Sequence, residues 1–139
     1  MQKLLDFWQE GEGAAYNPSR HDAVMRARHA EGLEDVVAEI ERIEGQPPLL
    51  VATSARPLAH ERVITYHDQE RVWSQKRPVL FLFGTAQGLA PSVMARCDFV
   101  LSPLRGFSHF NHLSVRSAAA VVLDRWLGIN EKWLGQEPE

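Results

Sequence analysis

Apolar runs bounded by breakers dominate the middle of the chain. Leu49-Leu50-Val51-Ala52-Thr53 follows Pro47 and Pro48, and Val79-Leu80-Phe81-Leu82-Phe83 follows Pro78. Runs this short and continuous read as strands covered on both faces, the habit of a parallel sheet. Asp98-Phe99-Val100-Leu101 predicts a further strand, and Val63 to Tyr66 a short one. Between them the period changes. Leu33, Val36, Val37, Ile40 and Ile43 recur at helical spacing between Glu31 and Glu44. Glu34 and Asp35 sit where the helix dipole favours negative charge, and Gly45 supplies the stop. Asp68 to Lys76 predicts a helix that ends before Pro78, and Pro91 opens another that carries Val93, Met94 and Cys97. The last helix starts near His112 or Leu113 and runs through Ala118, Ala119, Val122, Leu123 and Trp126 to Gly128.

The first thirty residues carry a weaker pattern. Leu4, Leu5, Phe7 and Trp8 fit one face of a short helix that Gly11 and Gly13 interrupt. Asn17-Pro18-Ser19-Arg20 is turn chemistry, and the loose alternation from Ala23 to His29 predicts a half-exposed strand. Strands alternating with helices give an α/β domain with a mostly parallel sheet over residues 1–128, followed by a tail, 129–139, that carries Trp133. Ligands bind such sheets at the carboxyl ends of the strands. Three loops converge there: Thr53 to Arg56, Gly84 to Leu89, and Ser102 to Asn111.

Composition narrows the classes. With 139 residues, 45% of them hydrophobic and 24% charged, the chain has the content of one domain with a core. No apolar run reaches membrane-spanning length, and the residues after Met1 lack the pattern of a secretory signal, so a soluble, cytoplasmic protein is expected. Cys97 is the single cysteine, which excludes an internal disulfide and a cysteine-based zinc site. His109 and His112 stand two residues apart in a loop without a carboxylate, so no metal is expected. A net charge of -3 excludes attraction of nucleic acid by the whole surface; any such contact must be local. Twelve of the fifteen basic residues are Arg. That bias suits bidentate phosphate contacts, and it equally follows from a GC-rich genome.

Gly84-Thr85-Ala86-Gln87-Gly88-Leu89 joins a strand to a helix, and its two glycines permit close backbone approach. No Lys-Ser or Lys-Thr pair follows Gly88, so it is not a phosphate-binding P-loop, and Gly84-Thr85-Ala86 lacks the second glycine of the dinucleotide pattern. Alone, it fits a structural turn as well as a ligand loop. Further on, Leu101-Ser102-Pro103-Leu104-Arg105 leads through a polar loop into Asn111-His112-Leu113-Ser114-Val115-Arg116 and an Ala-rich helix. Alone, this segment fits ordinary helix-on-sheet packing.

Taken in order, strand, Gly-Thr-x-x-Gly-Leu, helix, strand ending in Leu-x-Pro-Leu, and Asn-His-Leu-Ser-Val-x-x-Ala-Ala resemble the SPOUT superfamily. The chain looks most like a bacterial branch of RNA methyltransferases related to the tRNA guanine-N1 methyltransferase. Phe7-Trp8-x-x-Gly, Tyr16-Asn17-Pro18-Ser19-Arg20 and Thr53-Ser54-Ala55 fit the same branch, so the resemblance spans nearly the whole chain. It implies a C-terminal trefoil knot, a homodimer, and S-adenosyl-L-methionine bound among four segments. These are Thr53, Ser54 and Ala55; Gly84, Thr85, Gly88 and Leu89; Leu101, Ser102, Pro103 and Leu104; and Asn111, Leu113 and Ser114. The branch begins with a strand and helix that have no counterpart here before Met1, which implies a fragment of a longer protein or a sheet lacking that element.

The expected activity is methyl transfer to tRNA or rRNA. Guanine N1 requires a base, a carboxylate in the related enzyme, and the loop from Arg105 to His112 has none. His109 is the candidate base, and Arg105 or Arg20 the candidate phosphate ligand. Trp8, Trp73, Trp126 and Trp133 fit core or interface packing better than base stacking. Two other readings stand beside this one: a non-catalytic SPOUT-fold accessory or dimerisation domain of a longer protein, and a nucleotide-binding α/β domain of another kind.

Overall fold

The computed structural model describes residues 2–57, 62–85, 87–105 and 112–128. Three short helices come first: α1 (Gln2–Gln9), α2 (Glu12–Tyr16) and α3 (Pro18–Val24). They pack mainly on one another. Phe7 and Trp8 meet edge to face with ring centroids 5.1 Å apart. A Cβ on Gly13 would come within 2.8 Å of both rings, so only glycine lets α2 lie this close.

The strand expected over Ala23 to His29 is not there. Its first residues belong to α3, and 25–30 form a turn and an irregular segment. Asn17-Pro18 opens a helix instead of a turn: the Asn17 side chain accepts from the Arg20 N–H, and Pro18 occupies the first helical position. The Gln9 amide then donates to the carbonyls of Val24 and Ala27, holding the end of α3 against α1. A loose polar-apolar alternation cannot compete with a cap and a docking contact of this kind.

The α/β part follows: α4 (Leu33–Glu44), β1 (Leu49–Thr53), β2 (Val63–Ile64), α5 (Gln69–Trp73), β3 (Val79–Leu82), α6 (Pro91–Arg96), β4 (Phe99–Leu101) and α7 (Val115–Leu127). Gly45 caps α4 in the left-handed conformation, φ 75°. The four strands form one sheet in the order β2-β4-β1-β3, and all three pairings are parallel.

The alternation along β1 sorts the core into two layers. Leu49 and Val51 join Ile64, Val72, Leu101, Val122 and Trp126 on the side of α5 and α7. Leu50 and Ala52 join Val100 and Cys97 on the side of α4 and α6, where Val37, Val93 and Met94 cover them. The unbroken apolar run from Leu49 to Ala52 is thus explained by cover on both faces. β3 differs from that expectation: it is an edge strand, and each of its residues is half-buried. No helix of the described residues is long and apolar enough to cross a membrane.

Candidate functional site

All four strands send their carboxyl ends towards one cavity of about 640 Å³. Thr53 comes from the end of β1, Ser102 follows β4, Phe83 and Gly84 follow β3, and Tyr66 lies two residues past β2. Leu89, Pro91 and Met94 line it at the start of α6, and Leu113, Val115, Ala118 and Val122 line it from α7 and the residues before it.

Two hydroxyls at the end of β1 are committed to the backbone. Thr53 Oγ1 donates to the Leu82 carbonyl at 2.9 Å and so ties β1 to β3 at the cavity floor. Ser54 Oγ donates to the Arg56 carbonyl and accepts from the Arg56 N–H, which closes a tight turn and sets Arg56 on the rim. The polar surface that this loop offers a ligand is therefore largely main chain.

The glycine loop is equally tight. The Gly88 N–H donates to the Thr85 carbonyl, and Gly88 holds φ 89°, the region that favours glycine. A Cβ on Gly84 would stand 2.6 Å from Leu89 N and 2.7 Å from Gly88 Cα. Neither backbone atom can move aside without opening the loop.

Tyr66 is gripped from behind. Its ring packs on the core beside Val122 and Trp126, with the Arg125 guanidinium 5.6 Å from the ring centroid. Burial pushes the phenol above its usual pKa, and Arg125 opposes that only in part, so the hydroxyl stays protonated. Among the described residues, no carboxylate lines the cavity; its ionisable groups are Arg56, Tyr66 and His112.

Of the residues singled out from sequence, Thr53, Ser54, Ala55, Gly84, Thr85, Gly88, Leu89, Ser102, Leu104 and Leu113 line the cavity. Leu101 does not; it is 1% exposed and packs in the core beneath, while its neighbour Val100 reaches the cavity. Pro103 is not on the lining, and Ser114 caps α7 by accepting from the Ser117 N–H. Arg105 is exposed and directly follows a lining residue, Leu104. Arg20 is elsewhere: its guanidinium stacks over Trp8, 4.7 Å from the ring centroid, and is absent from the cavity. His109, Asn111, Ala86 and the tail with Trp133 lie outside the described residues. No group of three or more His, Cys, Asp or Glu able to hold a metal occurs among the described residues.

Sequence alone assigns Tyr66 no place in the site, and it marks Arg56 and His112 only as members of the segments Thr53 to Arg56 and Asn111 to Ser114, without a role of their own. Tyr66 had a usable signal, since a residue just past a parallel strand belongs to the ligand end of the sheet. His112 had one too, in its place beside Leu113.

Comparison with known proteins agrees with this architecture. A solved protein of a methylase family from Haemophilus influenzae Rd KW20 superposes with a TM-score of 0.62 at 21% identity, over 91% of this chain and 54% of that one. TrmJ from Z. mobilis ZM4 gives 0.61 at 20% identity, over 86% of this chain and 50% of its own. These likenesses show that the chain shares its fold with those two proteins. In sequence, the chain is 44% identical over 125 residues to a tRNA (guanine-N(1)-)-methyltransferase of Oleidesulfovibrio alaskensis, and 40% over 128 residues to one of Nitratidesulfovibrio vulgaris. It covers 28% and 29% of those proteins, so it spans under a third of the length of either. An uncharacterised protein of Aquifex aeolicus is 36% identical over 130 residues, 63% of its length. A family model described as SAM-dependent RNA methyltransferase matches residues 1–128, and the chain belongs to that family.

Proposed function

We propose that this chain binds S-adenosylmethionine in the cavity at the strand ends and transfers its methyl group to RNA. The observation that carries the reading is the cradle itself. A cavity of about 640 Å³ lies within the range of roughly 300–1,000 Å³ typical of cofactor sites. Its wall is a glycine loop that no side chain could enter at Gly84, and most of its polar surface near β1 is backbone. Backbone groups of Thr53 to Ala55, Gly84 to Leu89 and Ser102 to Leu104 would hold the adenosine, and Leu89, Leu104 and Leu113 would exclude water. When bound, the cofactor supplies an electrophilic methyl group on a sulfonium.

In-line displacement asks the protein chiefly for alignment and a dry site. An acceptor that keeps its proton also needs a base. Arg56 is permanently charged and burial keeps Tyr66 neutral, which leaves the His112 imidazole as the proton acceptor among the described lining residues. His109, three residues earlier in the sequence, remains the candidate base expected from sequence. The C-terminal knot and a homodimer belong to this reading. So does a cytoplasmic location, where tRNA and rRNA are found.

The test is transfer of labelled methyl from S-adenosylmethionine to RNA from a strain lacking the gene. The chain should label that RNA, and a Gly84→Ala variant should not. A second reading has one observation behind it: the chain corresponds to under a third of its tRNA methyltransferase relatives. It would then be a cofactor-binding accessory module of a longer protein. Cofactor binding without any label transfer would favour that module over the enzyme.

A further inference from the structure

The twelve arginines divide into two sets. Seven are absorbed by the fold. Arg28 pairs with Glu39, and Arg96 makes a two-pronged pair with Glu34 that ties α6 to α4. Arg62 donates to the carbonyls of Cys97 and Ala95 at the end of α6, and Arg77 to those of Pro47 and Pro48 ahead of β1. Arg20, Arg71 and Arg125 lie over the rings of Trp8, Phe99 and Tyr66.

Five remain: Arg26, Arg42, Arg56, Arg105 and Arg116. Among the described residues none of the five has a side-chain hydrogen bond, ion pair or ring contact. Three of them line the cavity or directly follow a lining residue in sequence. Arg56 lines it, Arg105 follows the lining residue Leu104, and Arg116 follows the lining residue Val115; all three are exposed. Arg116 is also at the wrong end of its helix. The first turn of α7 has no acidic residue, and the positive end of the dipole opposes a cation there. Both features suit an anion approaching from outside. The described lining beside Arg56 holds no carboxylate, and the ion pairs among the described residues involve none of the three.

We infer that Arg56, Arg105 and Arg116 form a cationic rim that grips the phosphates flanking the acceptor nucleotide of an RNA strand. This rests on the proposed RNA methyl transfer. It gives an acidic protein, net charge -3, a local means of holding a polyanion at the cavity where the acceptor nucleotide would enter. Phosphate contacts of this kind position the strand without reading its bases.

The experiment uses the full chain with bulk tRNA and follows binding against salt, beside calorimetry with S-adenosylhomocysteine. The variants are Arg56→Gln, Arg105→Gln, Arg116→Gln, the triple, and Arg42→Gln as an off-cavity control. Each rim substitution should make the slope of log Kobs against log salt shallower by about 0.7 to 0.9, and the triple should bind roughly tenfold or more weakly. Arg42→Gln should match wild type, and the triple should keep wild-type affinity for S-adenosylhomocysteine. A triple variant with unchanged RNA affinity and slope would overturn the inference. So would an Arg42→Gln loss equal to a rim variant's. A triple that loses S-adenosylhomocysteine instead would assign the charges to the cofactor's carboxylate and overturn it as well. If wild type binds tRNA through the rim but no S-adenosylhomocysteine, the rim stands and the methyl-transfer reading falls.

Discussion

At Gly84 a single added methyl group would stand 2.6 Å from the Leu89 nitrogen, in a loop where both neighbours are backbone. Gly84→Ala should therefore open the loop, with a loss of about 1–3 kcal/mol in stability and a far larger loss of cofactor affinity. Thermal unfolding and calorimetry on the same variant separate the two effects. Gly88 is different, since open space surrounds the position its Cβ would take, and the cost of Ala there comes from φ alone. Asp68 offers a test by pH. Its carboxylate accepts from the Thr65 N–H and hydroxyl at 2.7 and 2.8 Å, and those bonds hold it below the usual carboxylate range. The folded state thus prefers the ionised form more than the unfolded chain does. Its contribution is complete above the ordinary carboxylate pKa and vanishes as pH falls through the lowered value. Between about pH 5 and about pH 3, wild type should lose more stability than Asp68→Asn, measured by denaturant unfolding at each pH.

Trp126 shows how the elements hold the site. It is 2% exposed on α7 and meets Trp73 and Phe81 edge to face, at 6.1 and 5.4 Å between centroids. One residue thereby fixes α7 against α5 and β3, and with it the cavity wall formed by Val115, Ala118 and Val122. Trp126→Ala should cost about 3–5 kcal/mol in chemical denaturation. Most of this scale was legible in the chain. The apolar runs at Leu49 and Val79 and the helical spacing from Leu33 marked real elements because burial on a sheet or helix face leaves a periodic trace. The first thirty residues were not legible in the same way. There the helix of Pro18–Val24 depends on an Asn cap and on the Gln9 contact across fifteen residues, neither of which has a period. The edge position of β3 was equally hidden, since an apolar run looks the same in the centre of a sheet and at its margin. At the site, glycines and loop order pointed to the cavity. Tyr66, and the individual roles of Arg56 and His112, escaped because they arise from where separate loops meet.

For the whole molecule, α7 has two duties. Its inner side completes the core through Val122 and Trp126, while Leu123 and Leu127 remain 42% and 68% exposed. The homodimer that belongs to the proposed function would pair along this outer side. Leu123→Glu combined with Leu127→Glu should then shift the chain from dimer to monomer in analytical ultracentrifugation and leave the helix intact. A wild-type chain that is monomeric at every concentration tested would refute that assembly. On the proposed function, the cavity bounded by Gly84 to Leu89 is the site for the sulfonium cofactor. Isothermal titration of the chain with S-adenosylhomocysteine tests it most directly. Saturable binding at one site per chain, lost in Gly84→Ala, is the expected result. Absence of heat and of any rise in melting temperature at millimolar ligand would contradict it.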